Sequence, residues 1–318
     1  MVTGKTVQEA LAVVGLELDA LLAAAGSVLD GGHPYLVGSL AAGLGNAGSD
    51  VDIHHFRPET AAPAPPYLMF VDGVTVDVEY YPAEIAARTV AGYAGLTSVA
   101  VADGRIALAT PPARTVEHQL TRWLTALPLR DGSPPLVTGD DRAAVVALLA
   151  RAAYDTLVQL AAVAALAGGR AGAGYLWHRC GRQALEVACR IAGDLATGDK
   201  WLPRRALRTL GGPSVAGAGF RTGDEQAVRE LLAVLRLPLG DPLAMTVVQR
   251  CDRAREVAIG RTRHLLTRHG RLFREYPAAE GRVATVAAEI GAGTLLHALR
   301  TGQMTMRADP SACAEVLR

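Results

Sequence analysis

Apolar and polar positions recur along this chain with two different periods, and the change from one to the other divides it. Val7, Leu11, Val14, Leu18, Leu21 and Leu22 fall at near-helical spacing, so residues 7 to 29 are predicted as one amphipathic helix. Asp30-Gly31-Gly32-His33-Pro34 ends that helix, and Tyr35-Leu36-Val37 follows as a short apolar strand that stops at Gly38-Ser39. After a glycine-rich spacer, Ser49-Asp50-Val51-Asp52-Ile53 alternates carboxylates with branched apolar residues and predicts a second strand. A proline-rich loop (Pro58, Pro63, Pro65, Pro66) cannot hold a sheet ladder. Beyond it, 67–71 and 74–81 flank Asp72-Gly73, a strong hairpin signal.

Residues 82–90 are predicted as a short helix, 98–109 as a strand pair turning at Asp103-Gly104, and 115–127 as a helix. The segment 128–139, with Pro134-Pro135, is the best linker candidate. From there helical periodicity is expected almost throughout, over 140–168, 176–196, 223–236, 242–270 and 279–300, with glycine-rich breaks at 168–174 and 211–222. The arginines at 261, 263, 268 and 271 then read as a solvated helix face. The expected class is α+β: a mixed sheet with flanking helices over 1–128, followed by an all-α bundle over 140–318.

Composition narrows this picture. The chain has 318 residues, half of them hydrophobic with much alanine, enough for two ordinary domains. A formal charge of +1 gives no general basic field, which argues against a nucleic-acid partner. The longest apolar stretches, such as 157–167 with Gln159 inside it, read as too short for a membrane span, and Glu9, Glu17 and Asp19 do not suit a secretory signal. Four cysteines without metal-ligand spacing suggest buried free thiols in a reduced, cytoplasmic setting. Only Lys5 and Lys200 of the 32 basic residues are lysine, which singles out Lys200.

The candidate chemistry lies at the first two strands. Side chains alternate along a strand, so Asp50 and Asp52 are expected to point one way while Val51 and Ile53 enter the core. Adjacent carboxylates repel unless a cation separates them, and oxygen ligation of this kind suits Mg²⁺. Gly38 lets a phosphate come close to the backbone, and Ser39 adds a hydroxyl donor. On the hairpin's second arm Asp77 and Glu79 share a face, and Asp77 sits between Val76 and Val78. His54 shares the face of Asp50 and Asp52, and reads as a polar residue at a strand end rather than a ligand.

Gly38-Ser39, a nine-residue spacer, then Ser49-Asp50-Val51-Asp52-Ile53 resembles the nucleotidyltransferase superfamily typified by DNA polymerase beta and the small antibiotic nucleotidyltransferases. Leu40, Ala41 and Ala42 stand where many members carry arginine after Gly-Ser, so phosphate contacts must come from elsewhere. The resemblance implies a mixed-sheet domain followed by a helical one. It implies two Mg²⁺ ions held by Asp50, Asp52 and a third carboxylate, Asp77 being the better placed, with Gly38, Ser39 and Ser49 at the triphosphate of an NTP, ATP first. Lys200-Trp201-Leu202 resembles a segment in which a lysine faces the nucleotide phosphates; a capping lysine beside a buried Trp reads equally well.

The activity so implied is transfer of a nucleoside monophosphate to a hydroxyl of a small-molecule acceptor, with a homodimer left open. A nucleotide-joining enzyme, a tRNA- or protein-modifying enzyme and a non-catalytic antitoxin-like module are the alternatives.

Overall fold

The computed structural model describes residues 5–58, 65–102, 114–196, 198–251, 254–259, 262–267, 271–273, 277 and 279–309. The centre of the proline-rich loop, the Asp103-Gly104 turn and Cys313 lie outside them.

The chain forms two compact units, one comprising 1–102, 109–149 and 189–209, the other 103–108, 150–188 and 210–318. The division falls inside a helix at 149/150 rather than at the 128–139 segment, and 189–209 returns to the first unit. Within the first unit Leu129 is buried, and the Tyr35 hydroxyl donates to the Pro134 carbonyl at 2.5 Å, so the proline-rich stretch is packed in place.

The single N-terminal helix expected over 7–29 is broken. α1 (Val7–Leu11) opens with a capping box in which Thr6 and Glu9 each satisfy the other's backbone N–H. Gly15, at φ 74°, takes the left-handed conformation and ends its short 3₁₀ extension. α2 (Leu18–Ala25) follows after a bend of 83°. Periodicity carried across Gly15 could not report that turn.

β1 (His33–Val37), α3 (Gly38–Ala41), β2 (Val51–Arg57), β3 (Tyr67–Val71) and β4 (Val74–Pro82) come next. Asp72 and Gly73, at φ 51° and 80°, supply the two positive angles of a type I′ hairpin between β3 and β4. α4 (Ile85–Ala102) runs through residues 98–102, which were expected to open a strand pair. Once nucleated, a helix gains a hydrogen bond per added residue, and no proline interrupts this one. α5 (Arg114–Leu124) and β5 (Leu127–Pro128) complete a mixed five-stranded sheet of order β3-β4-β2-β1-β5. β2 and β4 are parallel neighbours; the other pairs are antiparallel.

The sheet's faces differ. Val51, Ile53, Val76 and Val78 are fully buried in a core with Leu11, Leu21, Leu29 and Leu40. The opposite face is apolar at one end, where Tyr35, Phe56 and Tyr81 meet Trp123 and Leu120 of α5, and charged at the other.

α6 (Gly139–Ala167) is 29 residues long, and the sequence expectation that no helix reaches spanning length needs amending. Its most apolar window has a mean hydropathy of 1.4, but half of that window is buried within the protein. It also carries a buried pair, with Arg151 Nε donating to Asp155 at 3.0 Å. α7 (Ala173–Ile191), α8 (Leu202–Thr209), α9 (Pro213–Gly219) and α10 (Glu225–Leu235) follow.

The C-terminal region is helical but not all-α. In place of a helix over 242–270 the chain forms β6 (Thr246–Arg250), β7 (Arg255–Ile259) and β8 (Thr262–Leu266), followed by β9 (Leu272–Phe273) and β10 (Gly281–Arg282). After α11 (Val283–Ile290) and α12 (Ala292–Thr301), β11 (Met304–Ala308) pairs with β6. Two three-stranded sheets result, β10-β6-β11 and β7-β8-β9. Thr246, Val247, Val248, Val257, Ile259 and Thr262 are β-branched, which favours strands over a helix of the same hydrophobicity. Arg263 therefore lies on strand β8 rather than on a basic helix face, while Arg261 and Arg268 lie outside the described residues.

Candidate functional site

Parallel pairing of β2 and β4 sets Asp52 opposite Asp77 and His54 opposite Glu79, all on the charged end of one sheet face. Asp50 lies just before β2 and is exposed, so it does not share the strand alternation expected of it, although its charge still acts on both Asp52 and Asp77. Burial raises the Asp52 carboxyl above the ordinary carboxylate value. Arg122 opposes this, while Asp77, Asp50 and Glu79 add to it. Asp77 is raised by burial and then by Glu79, again against Arg122.

Gly38 meets this cluster directly. Its φ is 72°, and a Cβ there would stand 2.2 Å from Asp52 Oδ2. Only glycine fits such a turn against the carboxylate. Ser39 is half-buried, and its carbonyl accepts the N–H groups of Leu44 and Gly45 at 2.8 and 2.9 Å, which closes the spacer into a tight loop. Ser49 Oγ accepts the Asn46 N–H at 3.0 Å and so braces the far end of that loop.

Arg122, in the last turn of α5, is the functional residue that sequence reading missed. Its Nη2 lies 3.3 Å from Asp52 Oδ1, and its Nη1 lies 3.5 Å from Glu79 Oε1. It stands among carboxylates where a cation is needed, 70 residues along the chain from Asp52. No local signal marks it; only the demand of a carboxylate cluster for a counter-charge points to some basic residue.

His54 is buried, and its Nδ1 accepts the Trp123 indole N–H at 3.0 Å. Indole N–H can only donate, so the ring proton is on Nε2. Burial, with Arg122 and His118 nearby, holds His54 down to about 3, so the ring is neutral. Arg122 Nη1, 3.3 Å from His54 Nε2, therefore faces another N–H rather than a lone pair. Glu79 accepts from the Tyr81 hydroxyl, which burial and that carboxylate together raise. His55 is buried on the other face with Nδ1 3.2 Å from the Val28 carbonyl.

Positive charge reaches the spacer loop from α8. Arg204 Nη1 donates to the Leu44 carbonyl at 2.8 Å, and Arg208 Nη1 to the Ala42 carbonyl at 2.9 Å. Lys200 is exposed, with Nζ 4.9 Å from the ring centroid of Trp201, which is half-buried rather than fully buried. The contact seen for Lys200 is thus with its neighbour, not with Asp50, Asp52 or Asp77.

Among the described residues no three His, Cys, Asp or Glu side chains are grouped closely enough to hold a metal ion. The donor chemistry nevertheless fits magnesium. Mg²⁺ needs only one or two protein carboxylates when water and phosphate supply the rest, and Asp52 and Asp77 are such a pair. No protein-family model matches the chain, and no curated protein matches it.

Proposed function

We propose that the protein is a Mg²⁺-dependent nucleotidyltransferase that moves AMP from ATP to a hydroxyl of a small-molecule acceptor. The observation that carries this reading is the close approach of the Gly38 turn to Asp52, whose cross-strand partner is Asp77, in a cluster where Asp50, Asp52, Asp77 and Glu79 face the single counter-charge of Arg122. A turn that excludes every side chain but glycine's beside paired, uncompensated carboxylates suits a triphosphate with its counter-cations.

In this reading Asp52, Asp77 and Asp50, the last just before β2, would supply the carboxylate oxygens that hold two magnesium ions. Bound there, the metal supplies neutralisation of the triphosphate and a lowered pKa for the acceptor hydroxyl. The backbone at Gly38 and Ser39 keeps the phosphates against the sheet end, and Ser49 fixes the loop between them. Asp77 would either complete the metal site or take the acceptor's proton, both roles needing a carboxylate at that place. A bond forms between the acceptor oxygen and the α-phosphorus, the bond from that phosphorus to the bridging oxygen breaks, and pyrophosphate leaves with the electron pair. In this reading the exposed Lys200 stands in for the arginine missing after Gly38-Ser39. The finer architecture, a nucleotidyltransferase domain followed by a second unit, belongs to this proposal. So does a reduced, cytoplasmic setting, which the buried thiols of Cys180 and Cys251 support.

One observation favours a second reading, a nucleotide-binding module without turnover: Arg122 stands among the carboxylates, and no three-carboxylate metal group forms among the described residues. Incubation with α-labelled ATP, Mg²⁺ and a panel of hydroxyl acceptors separates the two. Transfer with pyrophosphate release, lost in Asp52→Asn and Asp77→Asn, supports the enzyme; nucleotide binding that ignores both substitutions and Mg²⁺ supports the module.

A further inference from the structure

We infer that Arg122 is a positioning residue that exchanges partners: without ligand it holds the place of a divalent cation beside Asp52, and with cation and nucleotide bound it pairs with the triphosphate. This rests on the magnesium reading of the same site and adds a coupling between metal and nucleotide.

The Arg122 guanidinium is poorly served by its surroundings. It straddles Asp52 at 3.3 Å and Glu79 at 3.5 Å, and forms a bidentate fork with neither. Charge-assisted N–H···O contacts are ordinarily shorter, about 2.7–2.9 Å. Its Nε is buried with no acceptor. Its Nη1 faces the N–H of His54, whose tautomer Trp123 fixes, so that contact is repulsive. A guanidinium has five donors in a rigid fork that matches phosphate oxygens. Arg122 therefore has donors to spare and a charge that its surroundings need but do not bind well.

The arrival of cations changes the balance. Once the carboxylates are neutralised, the arginine and the metal are like charges competing for the same oxygens, and the arginine must leave or acquire an anion. The triphosphate is that anion, and the fork is already on the charged face where it would bind. A metal ion alone would displace Arg122 at a cost, whereas metal together with nucleotide would re-employ it.

The test measures binding, not turnover. Mn²⁺ alone, and then Mn²⁺ with adenosine α,β-methylenetriphosphate, is titrated by calorimetry into wild type, Arg122→Gln, Arg122→Lys and Asp52→Asn. Arg122→Gln is expected to bind Mn²⁺ alone about tenfold more tightly, because a competing unit charge has gone. It should bind the Mn²⁺-analogue complex about tenfold more weakly, through loss of a charge-assisted contact. Arg122→Lys keeps the charge but not the fork, so it should leave Mn²⁺ binding near wild type and weaken only the analogue. This second variant keeps the test valid should Arg122→Gln fail to fold. Opposite shifts support the exchange; unchanged or weakened Mn²⁺ binding in Arg122→Gln, or unchanged analogue binding in both variants, overturns it. Where Asp52→Asn loses Mn²⁺ but the Arg122 variants match wild type, the exchange fails and the magnesium reading stands. Where Mn²⁺ binds wild type and Asp52→Asn alike, the magnesium reading itself fails, and the exchange with it.

Discussion

Two arginine–carboxylate clusters lie in the same compact unit and behave as opposites. Asp194 is buried and fully engaged: Arg205 donates to it through Nε at 3.1 Å, Arg208 through Nη2 at 2.6 Å, and Thr209 through its hydroxyl at 3.0 Å. Arg205, with no exposed surface, also donates to the Asp194 carbonyl at 2.6 Å. Arg122 instead spans Asp52 and Glu79 at 3.3 and 3.5 Å, leaves its Nε without an acceptor, and does not keep Asp52 or Asp77 at ordinary carboxylate values. A cluster built for stability closes its own charges with short bonds. A cluster that leaves negative charge over is suited to a cation from outside.

The comparison breaks first at Asp194. Asp194→Ala strands the buried Arg205 charge and should cost about 3–5 kcal/mol in urea denaturation, since removing one partner of a buried pair leaves the other uncompensated. A loss below about 1 kcal/mol would show that Asp194 does not anchor the fold.

His54 sharpens the contrast by acid. Its folded value of about 3 lies below the ordinary 6.5, so the unfolded chain takes up the proton first as pH falls. The stability it contributes is present above pH 6.5 and is lost between 6.5 and about 3, a matter of a few kcal/mol. Guanidinium unfolding of wild type and His54→Gln across this range should show the acid slope much reduced in the variant. Equal slopes would mean that the ring is not held neutral.

Lys200→Ala comes next. If Lys200 swings from Trp201 to the phosphates, its loss should raise the nucleotide KM about tenfold, the worth of one charge-assisted contact. Steady-state kinetics with ATP varied decides this, and an unchanged KM removes Lys200 from the site.

The smallest effect is expected of Asp52→Asn without metal. Folding raises the Asp52 value above 3.8, so its ionisation weakens the fold as pH rises from about 3.8 through the raised value. The variant should therefore match or exceed wild type at neutral pH, with the difference growing over that interval and level above it. Thermal unfolding at several pH values in chelator checks the sign. A clear loss would make the Arg122 pair a structural bond like that of Asp194.

What could be read from the sequence was local. Val37-Gly38-Ser39, the alternation through Ile53, and Asp72-Gly73 are short-range signals, and the strands and hairpin they predict are present. The sequence expectation at Gly38 is the close approach of a phosphate; the group that stands against it is the carboxylate of Asp52, which only the β1/β2 pairing brings there. Arg122 and Arg204 reach the site from 70 and 160 residues away, and no window of sequence contains both ends of such a contact. The strands after residue 245 were hidden because their apolar residues also fit a helical period, and sheet pairing with β11, more than fifty residues later, decided the outcome.

The most direct test of the account is the number of Mn²⁺ ions held per chain with adenosine α,β-methylenetriphosphate, read by electron paramagnetic resonance of the free ion. The wild type should take up two in the presence of the analogue, and the Asp52→Asn, Asp77→Asn double variant none above the analogue's own share. Equal uptake by both proteins would contradict the assignment of the paired carboxylates as the metal-holding centre of a nucleotidyltransferase.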